Sequence, residues 1–184
     1  MRIIGGSMGG RRITPPPKMP YTRPTTDIAK EGLFNIIENN LEIDGLVTLD
    51  LFGGTGSISY ELASRGAADL TIVEKDPEMF AFIKRTTNAL NLPHIKVVKS
   101  DVFRFIREGG KKYDLIFAGP PYALSSIDEI PIEIFKNELL KEEGWFILEH
   151  TPKNDYRKFD FYRTERNYGT TIFSIFVNRQ DPNI

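Results

Sequence analysis

Four short stretches carry residue types that could do chemistry together. The first, Asp50-Leu51-Phe52-Gly53-Gly54-Thr55-Gly56, couples an acid to a glycine-rich turn. Glycine lets a backbone turn tightly and approach a ligand where a side chain would block it. A helix starting just after such a turn aims its free N–H groups at the ligand. Glu74 lies eighteen residues past Gly56, near the spacing of about 20 at which an acid holds ribose hydroxyls in nucleotide-binding βαβ units. At Ser100-Asp101 a carboxylate can accept from an adenine amine, and Val102 offers its backbone N–H. The fourth stretch is Gly119-Pro120-Pro121-Tyr122. Phe52 and Lys75, beside the turn and Glu74, complete the candidate ligand set. Each feature alone has a plain structural explanation. A glycine turn closes many strand–helix junctions, and a lone acid is usually solvated.

The elements needed to gather these stretches are legible. Apolar runs at 46–51, 70–73, 96–98, 113–118 and 145–149 read as short buried strands. Helical segments fall between them: Gly56 to about Arg65, Pro77 to Asn91, Val102 to about Arg107, and a stretch ending near Leu140. Residues 159–168 and 171–178 read as a closing hairpin around Gly169-Thr170. Strands alternating with helices imply right-handed βαβ units and a mostly parallel sheet with helices on both faces. The hairpin adds antiparallel character at one edge. Ligands of such sheets bind beyond the carboxyl ends of the strands, where all four stretches fall. Joint placement there points to a nucleoside site that fits a dinucleotide or S-adenosylmethionine. The Pro-Pro-Tyr turn favours the latter, because amine methyl transfer needs it and hydride transfer does not.

Ahead of these elements, residues 1–24 are rich in Gly, Pro and Arg. Apolar pieces on either side of Gly5–Gly10 read as paired extended segments or a short hairpin. Pro15-Pro16-Pro17 and Pro20 make a stiff connector. Thr25 or Thr26 can cap a helix, with Asp27 in its first turn and Ala29, Leu33, Ile36 and Ile37 on one face. The expected division is a basic extension, 1–24, and a catalytic domain, 25–184.

Composition narrows the function classes. At 184 residues the chain suits one domain, with no room for a second one of similar size. It has no cysteine, which excludes disulfides, thiolate metal sites and cysteine nucleophiles. His94 and His150 lack metal-ligand spacing, so no metal is expected. Phe103, Phe105, Trp145, Phe173 and Phe176 read as core. No run is long and apolar enough for a membrane span, and the N-terminus has no signal-peptide core. The cytoplasm is the expected compartment. The net charge of −1 hides an asymmetry: residues 1–30 hold six basic groups against Asp27, a balance of +5 that leaves −6 for the rest. A basic end suggests a nucleic-acid partner, with Arg2, Arg11, Arg12, Lys18 and Arg23 as the candidate RNA-facing residues, to which the family resemblance described next adds Thr25.

The chain resembles the RsmD-type methyltransferases, which methylate a guanine N2 in bacterial small-subunit ribosomal RNA. The likeness runs through Arg2-Ile3-Ile4-Gly5-Gly6, Gly10-Arg11-Arg12, Arg23-Pro24-Thr25-Thr26-Asp27, Leu49–Gly56, Ser64-Arg65-Gly66-Ala67, Glu74, Ser100-Asp101 and the Pro-Pro-Tyr turn. It implies a Rossmann-like, seven-stranded S-adenosylmethionine-dependent fold. Asp50 and Gly53–Gly56 would hold the methionine part, Glu74 the ribose, and Asp101 with Val102 the adenine. The partner would be ribosomal RNA in an assembled or assembling 30S subunit, and the protein a monomer. In that family an Asp or Asn opens the Pro-Pro-Tyr motif and accepts from the target amine. Here Gly119 stands in its place, leaving the carbonyls of Gly119 and Pro120 as acceptors and Tyr122 to stack on the base. Two consequences are open: a carbonyl or water replaces the lost acceptor, or the chain is a weakly active or non-catalytic RNA-binding assembly factor. A methyltransferase for a small molecule or a protein glutamine would use a similar turn, but the basic N-terminus disfavours it.

Overall fold

The computed structural model describes residues 1–19 and 24–179. Among these residues seven strands form one sheet: β1 (Val47–Leu51), β2 (Asp69–Glu74), β3 (Ile95–Lys99), β4 (Tyr113–Ala118), β5 (Leu140–His150), β6 (Tyr162–Tyr168) and β7 (Thr171–Val177). Their order is β3-β2-β1-β4-β5-β7-β6. The first five run parallel, and β7 lies antiparallel between β5 and β6. This is the mostly parallel sheet with a C-terminal hairpin expected from the sequence. Strand order reverses between β1 and β4, the switch point at which open α/β sheets leave a crevice past the strand ends.

Among the described residues, five α-helices cover the two faces: α1 (Asp27–Asn40), α2 (Ser57–Ser64), α3 (Pro77–Ala89), α4 (Val102–Glu108) and α5 (Glu129–Lys136). The Thr26 side chain caps α1 by accepting the Ala29 N–H at 3.2 Å. Asp76 caps α3, with Pro77 at its first position. Met79, Phe82, Ile83 and Thr86 then turn inward at helical spacing. Alternation along the strands sorts the core into two layers. Leu49, Leu51, Ile116 and Leu148 pack with Ile106, Ile130 and Ile134 of α4 and α5. Leu70, Ile72, Phe117 and Ile147 pack with Leu33, Phe34, Ile58 and Ile83 of α1–α3. Phe173 and Phe176 are buried, as expected, whereas Phe103, Phe105 and Trp145 are only half-buried.

β5 begins five residues before the expected Trp145. Lys141-Glu142-Glu143-Gly144 is polar enough to read as a turn. Instead it is the irregular start of the strand, with Glu143 at φ +61° and a register shift opposite Tyr113 and Leu115. No helix among the described residues is long and apolar enough to cross a membrane.

The N-terminal segment pairs with itself as expected: Arg2 and Arg12 form an antiparallel bridge, and Ile3 N–H donates to the Arg11 carbonyl at 2.9 Å. It is also fastened to the domain. Ile3 and Met8 are buried in the α1–α3 layer. The fully buried Glu61 of α2 accepts the N–H groups of Ile4 and Gly5 at 2.8 and 2.7 Å. The same carboxylate pairs with Arg65 at 2.8 Å and the buried Lys30 at 3.5 Å. Lys30 therefore points inward, and the exposed positive charge of the first 30 residues is smaller than their composition suggests. Replacing Glu61 by Ala strands Lys30 without its counter-charge. Urea unfolding should show a loss of about 3–5 kcal/mol, and a loss within the scatter of surface substitutions would contradict this role for the pair.

Candidate active site

The carboxyl ends of β1, β2, β4 and β5, with the turn after β3, enclose a cavity of about 980 Å³. That is at the upper end of the range for small-molecule sites, about 300–1,000 Å³. Its walls bring together Phe52, Gly54, Glu74, Lys75, Asp101, Val102 and all of Gly119–Tyr122. Four sequence-distant stretches thus share one chamber.

The glycine turn is held flat against β2. Gly53 N–H donates to the Val73 carbonyl at 2.9 Å. A Cβ on Gly53 would sit 2.3 Å from Cγ2 of Ile72, so this chain has no room for alanine there without a shift. Gly56, at φ +79°, lies so close to the Tyr60 ring that a Cβ would meet its hydroxyl at 2.4 Å. Phe52 is itself left-handed at φ +62°, a strained conformation that a non-glycine residue rarely adopts. Gly54 then donates its N–H to Glu74 at 2.8 Å. The other Glu74 oxygen accepts from Asp76 N–H at 2.8 Å. Glu74 therefore clamps the glycine turn to the start of α3, and each oxygen keeps a lone pair for a ligand hydroxyl. Asp101 caps α4 by accepting from Arg104 N–H at 3.1 Å, with its second oxygen uncommitted to the cap.

Asp50 is placed differently. It does not line the cavity; nor do Gly53, Thr55 and Gly56. The Asp50 carboxylate is buried and accepts from the Ser59 hydroxyl at 2.9 Å. Burial pushes its pKa up to about 7, with the Ser59 hydrogen bond opposing and the charges of Glu74 and Glu149 adding to the shift.

At the other end of the chamber stands Glu149, the penultimate residue of β5. It accepts from the Thr25 hydroxyl at 3.0 Å and the Tyr122 hydroxyl at 3.2 Å. Burial raises its pKa, while both hydroxyls work to lower it. A Cβ built on Gly119 would lie 3.5 Å from Oε2 of Glu149. Sequence reasoning missed Glu149, although the rule that found Glu74 and Asp101, an acid at a parallel strand's carboxyl end, applies to it equally. Met19, Met79, Phe103 and Leu124 also line the cavity; Phe103 was expected in the core.

The candidate RNA-facing residues scatter over the N-terminal surface. Arg11, Arg12 and Lys18 are exposed. Arg2 is exposed but paired with Asp27 at 3.1 Å. Thr25 turns its hydroxyl inward to Glu149. Arg23, and Pro20 of the connector, lie outside the described residues. His150 is a satisfied core residue, 2.7 Å from the Ser174 hydroxyl. No group of metal-ligating side chains occurs among the described residues.

Residues 1–177 match the family described as Conserved hypothetical protein 95. The chain belongs to this family. Ribosomal RNA small subunit methyltransferase D of Escherichia coli K12 is 32% identical over 145 residues, covering 79% of this chain and 69% of that one. Its namesake from Buchnera aphidicola subsp. Baizongia pistaciae is 27% identical over 186 residues, 97% of this chain and 92% of that one. The solved structure of a hypothetical protein from Thermus thermophilus superposes with a TM-score of 0.84 at 26% identity, covering 96% of this chain and 98% of that one. The family membership expected from the motifs thus holds, and its fold is the one described above.

The raised pKa of Asp50 fixes a sign for stability. The native state keeps a proton there that the unfolded chain has lost, from the ordinary carboxylate range up to about pH 7. Wild-type stability should therefore fall relative to Asp50→Asn as pH rises through that window, and level off above it. Paired denaturant titrations at several pH values check this. A constant gap between the two proteins would contradict it.

Proposed function

We propose that the protein transfers a methyl group from S-adenosylmethionine to the exocyclic N2 amine of a guanine in small-subunit ribosomal RNA. One observation carries the reading: a single cavity joins a nucleoside-type end, Glu74 with Asp101 and Val102, to the Gly119–Tyr122 turn. The names of the relatives from Escherichia coli and Buchnera support the RNA substrate and the methyl transfer.

The residues present fit the cofactor. Glu74 has acceptor capacity left for ribose hydroxyls, Asp101 and Val102 offer an acceptor and an N–H to adenine, and Val73, Met79 and Phe103 supply apolar walls. Phe52 and Gly54 would border the methionine part, and Lys75 could reach the ribose end. S-adenosylmethionine supplies an electrophilic methyl group on a sulfonium.

The protein's task is to present the amine. A guanine N2 is a poor nucleophile because its lone pair is delocalised into the ring. Acceptors that hold its N–H bonds out of conjugation restore some of that lone pair. The Gly119 and Pro120 carbonyls are fixed acceptors at the end of β4. The Tyr122 ring, anchored through its hydroxyl on Glu149, offers a surface on which an extruded base stacks. Orientation and preorganised acceptors supply much of the catalysis.

RNA phosphates would meet the N-terminal surface, residues 1–24, beside the catalytic part, 25–184. Among the described residues, Arg11, Arg12 and Lys18 are exposed cations available for it, with Arg2 partly spent on Asp27. The substrate would be RNA within a 30S subunit or its precursor, met by a cytoplasmic monomer.

Mass mapping of small-subunit RNA from a deletion strain tests the reading. One N2-methylguanosine should disappear and return on complementation. A full complement of N2-methylguanosine in the deletion strain would overturn it. Reversing Arg11 and Arg12 to Glu should weaken RNA binding and flatten its salt dependence, by a slope of roughly 0.7–0.9 for each phosphate no longer neutralised. An unchanged affinity and slope would remove these residues from the interface.

A further inference from the structure

We propose that Glu149 is the side chain that receives the substrate amine: it accepts a hydrogen bond from the amine and then takes its proton. The inference rests on the methyl-transfer reading above.

Glu149 has unusual surroundings for a buried acid. It is 5% exposed and lines the cavity. It accepts from two neutral hydroxyls, Thr25 and Tyr122, and no ion pair to it occurs among the described residues. A buried carboxylate without a cation is costly. The same molecule shows the ordinary solution at Glu61, which is likewise buried but paired with Arg65 and Lys30. Among the described residues the carboxylate of Glu149 has no such partner, and it faces a chamber sized for ligands. It has lone pairs left after the two hydroxyls. A ligand N–H is the donor that chamber can bring.

Glu149 lies beside Gly119. Its Oε2 is 3.5 Å from where a Cβ on Gly119 would stand. The carboxylate thus reaches the opening of the Pro-Pro-Tyr turn from the neighbouring strand. β4 and β5 pair in parallel through Ala118 and Leu148, so Gly119 and Glu149 follow side by side and on the same face. Thr25 and Tyr122 hold one oxygen each, which fixes the carboxylate's direction.

The chemistry balances. The amine lone pair forms the new N–C bond, the C–S bond breaks with both electrons left on sulfur, and one N–H proton passes to a Glu149 oxygen. As the nitrogen becomes cationic the carboxylate both stabilises it and relieves it of that proton. Burial favours the protonated product form of Glu149, while the two hydroxyl hydrogen bonds favour the carboxylate.

The test uses the full chain, small-subunit RNA substrate and S-adenosylmethionine. Glu149→Gln keeps the shape and an acceptor oxygen but cannot take the proton. It should lower kcat by about 10²–10³ with S-adenosylmethionine affinity, measured by calorimetry, unchanged. The acid limb of the wild-type kcat profile, where Glu149 protonates, should vanish in this variant. Among the described residues, the other titratable groups facing Glu149 are Tyr122 from the β4 turn and Asp50 from β1. Gly119→Asp alone would set two carboxylates against each other and reduce activity. In the Glu149→Ala background the same change should restore part of the loss. Wild-type kcat and pH profile in Glu149→Gln would overturn the proposal, as would loss of cofactor binding in parallel with activity. If the wild type makes no N2-methylguanosine, the reading above falls and this proposal with it; a methylating wild type with unaffected variants sinks this proposal alone.

Discussion

Parallel pairing of β1 with both β2 and β4 is the constraint on which the rest depends. Leu51 lies in register with Val73 on one side and Ala118 on the other. Three strands therefore end level, and the residues just beyond them must share one space. The backbone hydrogen bonds that fix this register involve no functional side chain. They nevertheless place the glycine turn, Glu74 and Gly119 within one chamber. Glu74 then turns proximity into a clamp, with one oxygen on Gly54 and the other on Asp76. A parallel sheet that slipped by one residue would send these side chains to the opposite face.

The buried acids divide by their partners. Glu61 is matched by Lys30 and Arg65, and its work is structural: it fastens the N-terminal segment to α2. The side chains of Asp50 and Glu149 accept from hydroxyls instead, and burial raises the pKa of both. Both lie near the strand ends. Desolvation that would be wasteful in a structural acid is useful where a proton or a cationic centre must be met. The substitution of Gly for an acid in the Pro-Pro-Tyr motif, which by itself suggests a weakened enzyme, looks different beside Glu149. The acceptor missing from β4 has a candidate replacement on β5.

Much of this was legible in the residues. Apolar runs, glycine turns and caps place most elements, and the strand-end rule collects Glu74, Asp101 and the Pro-Pro-Tyr turn. What was lost was lost for physical reasons. The start of β5 is polar and irregular, so the apolar run that marks this strand begins only at Trp145. Lys30 looked like surface charge because its partner, Glu61, is far away in sequence. The contact of Thr25 with Glu149 was invisible because only the fold brings the two together. Asp50 was grouped with the ligand residues through the family resemblance, and only the fold shows that its carboxylate is buried on the Ser59 hydroxyl.

A crystal structure with S-adenosylhomocysteine bound would test the central claim most directly. The ribose hydroxyls should lie on Glu74, the adenine beside Asp101 and Val102, and the sulfur should face the space between Gly119 and Glu149. A ligand lying outside the cavity, or running the other way with its adenine at the Gly119–Tyr122 end, would contradict the assignment of the chamber and the chemistry built on it.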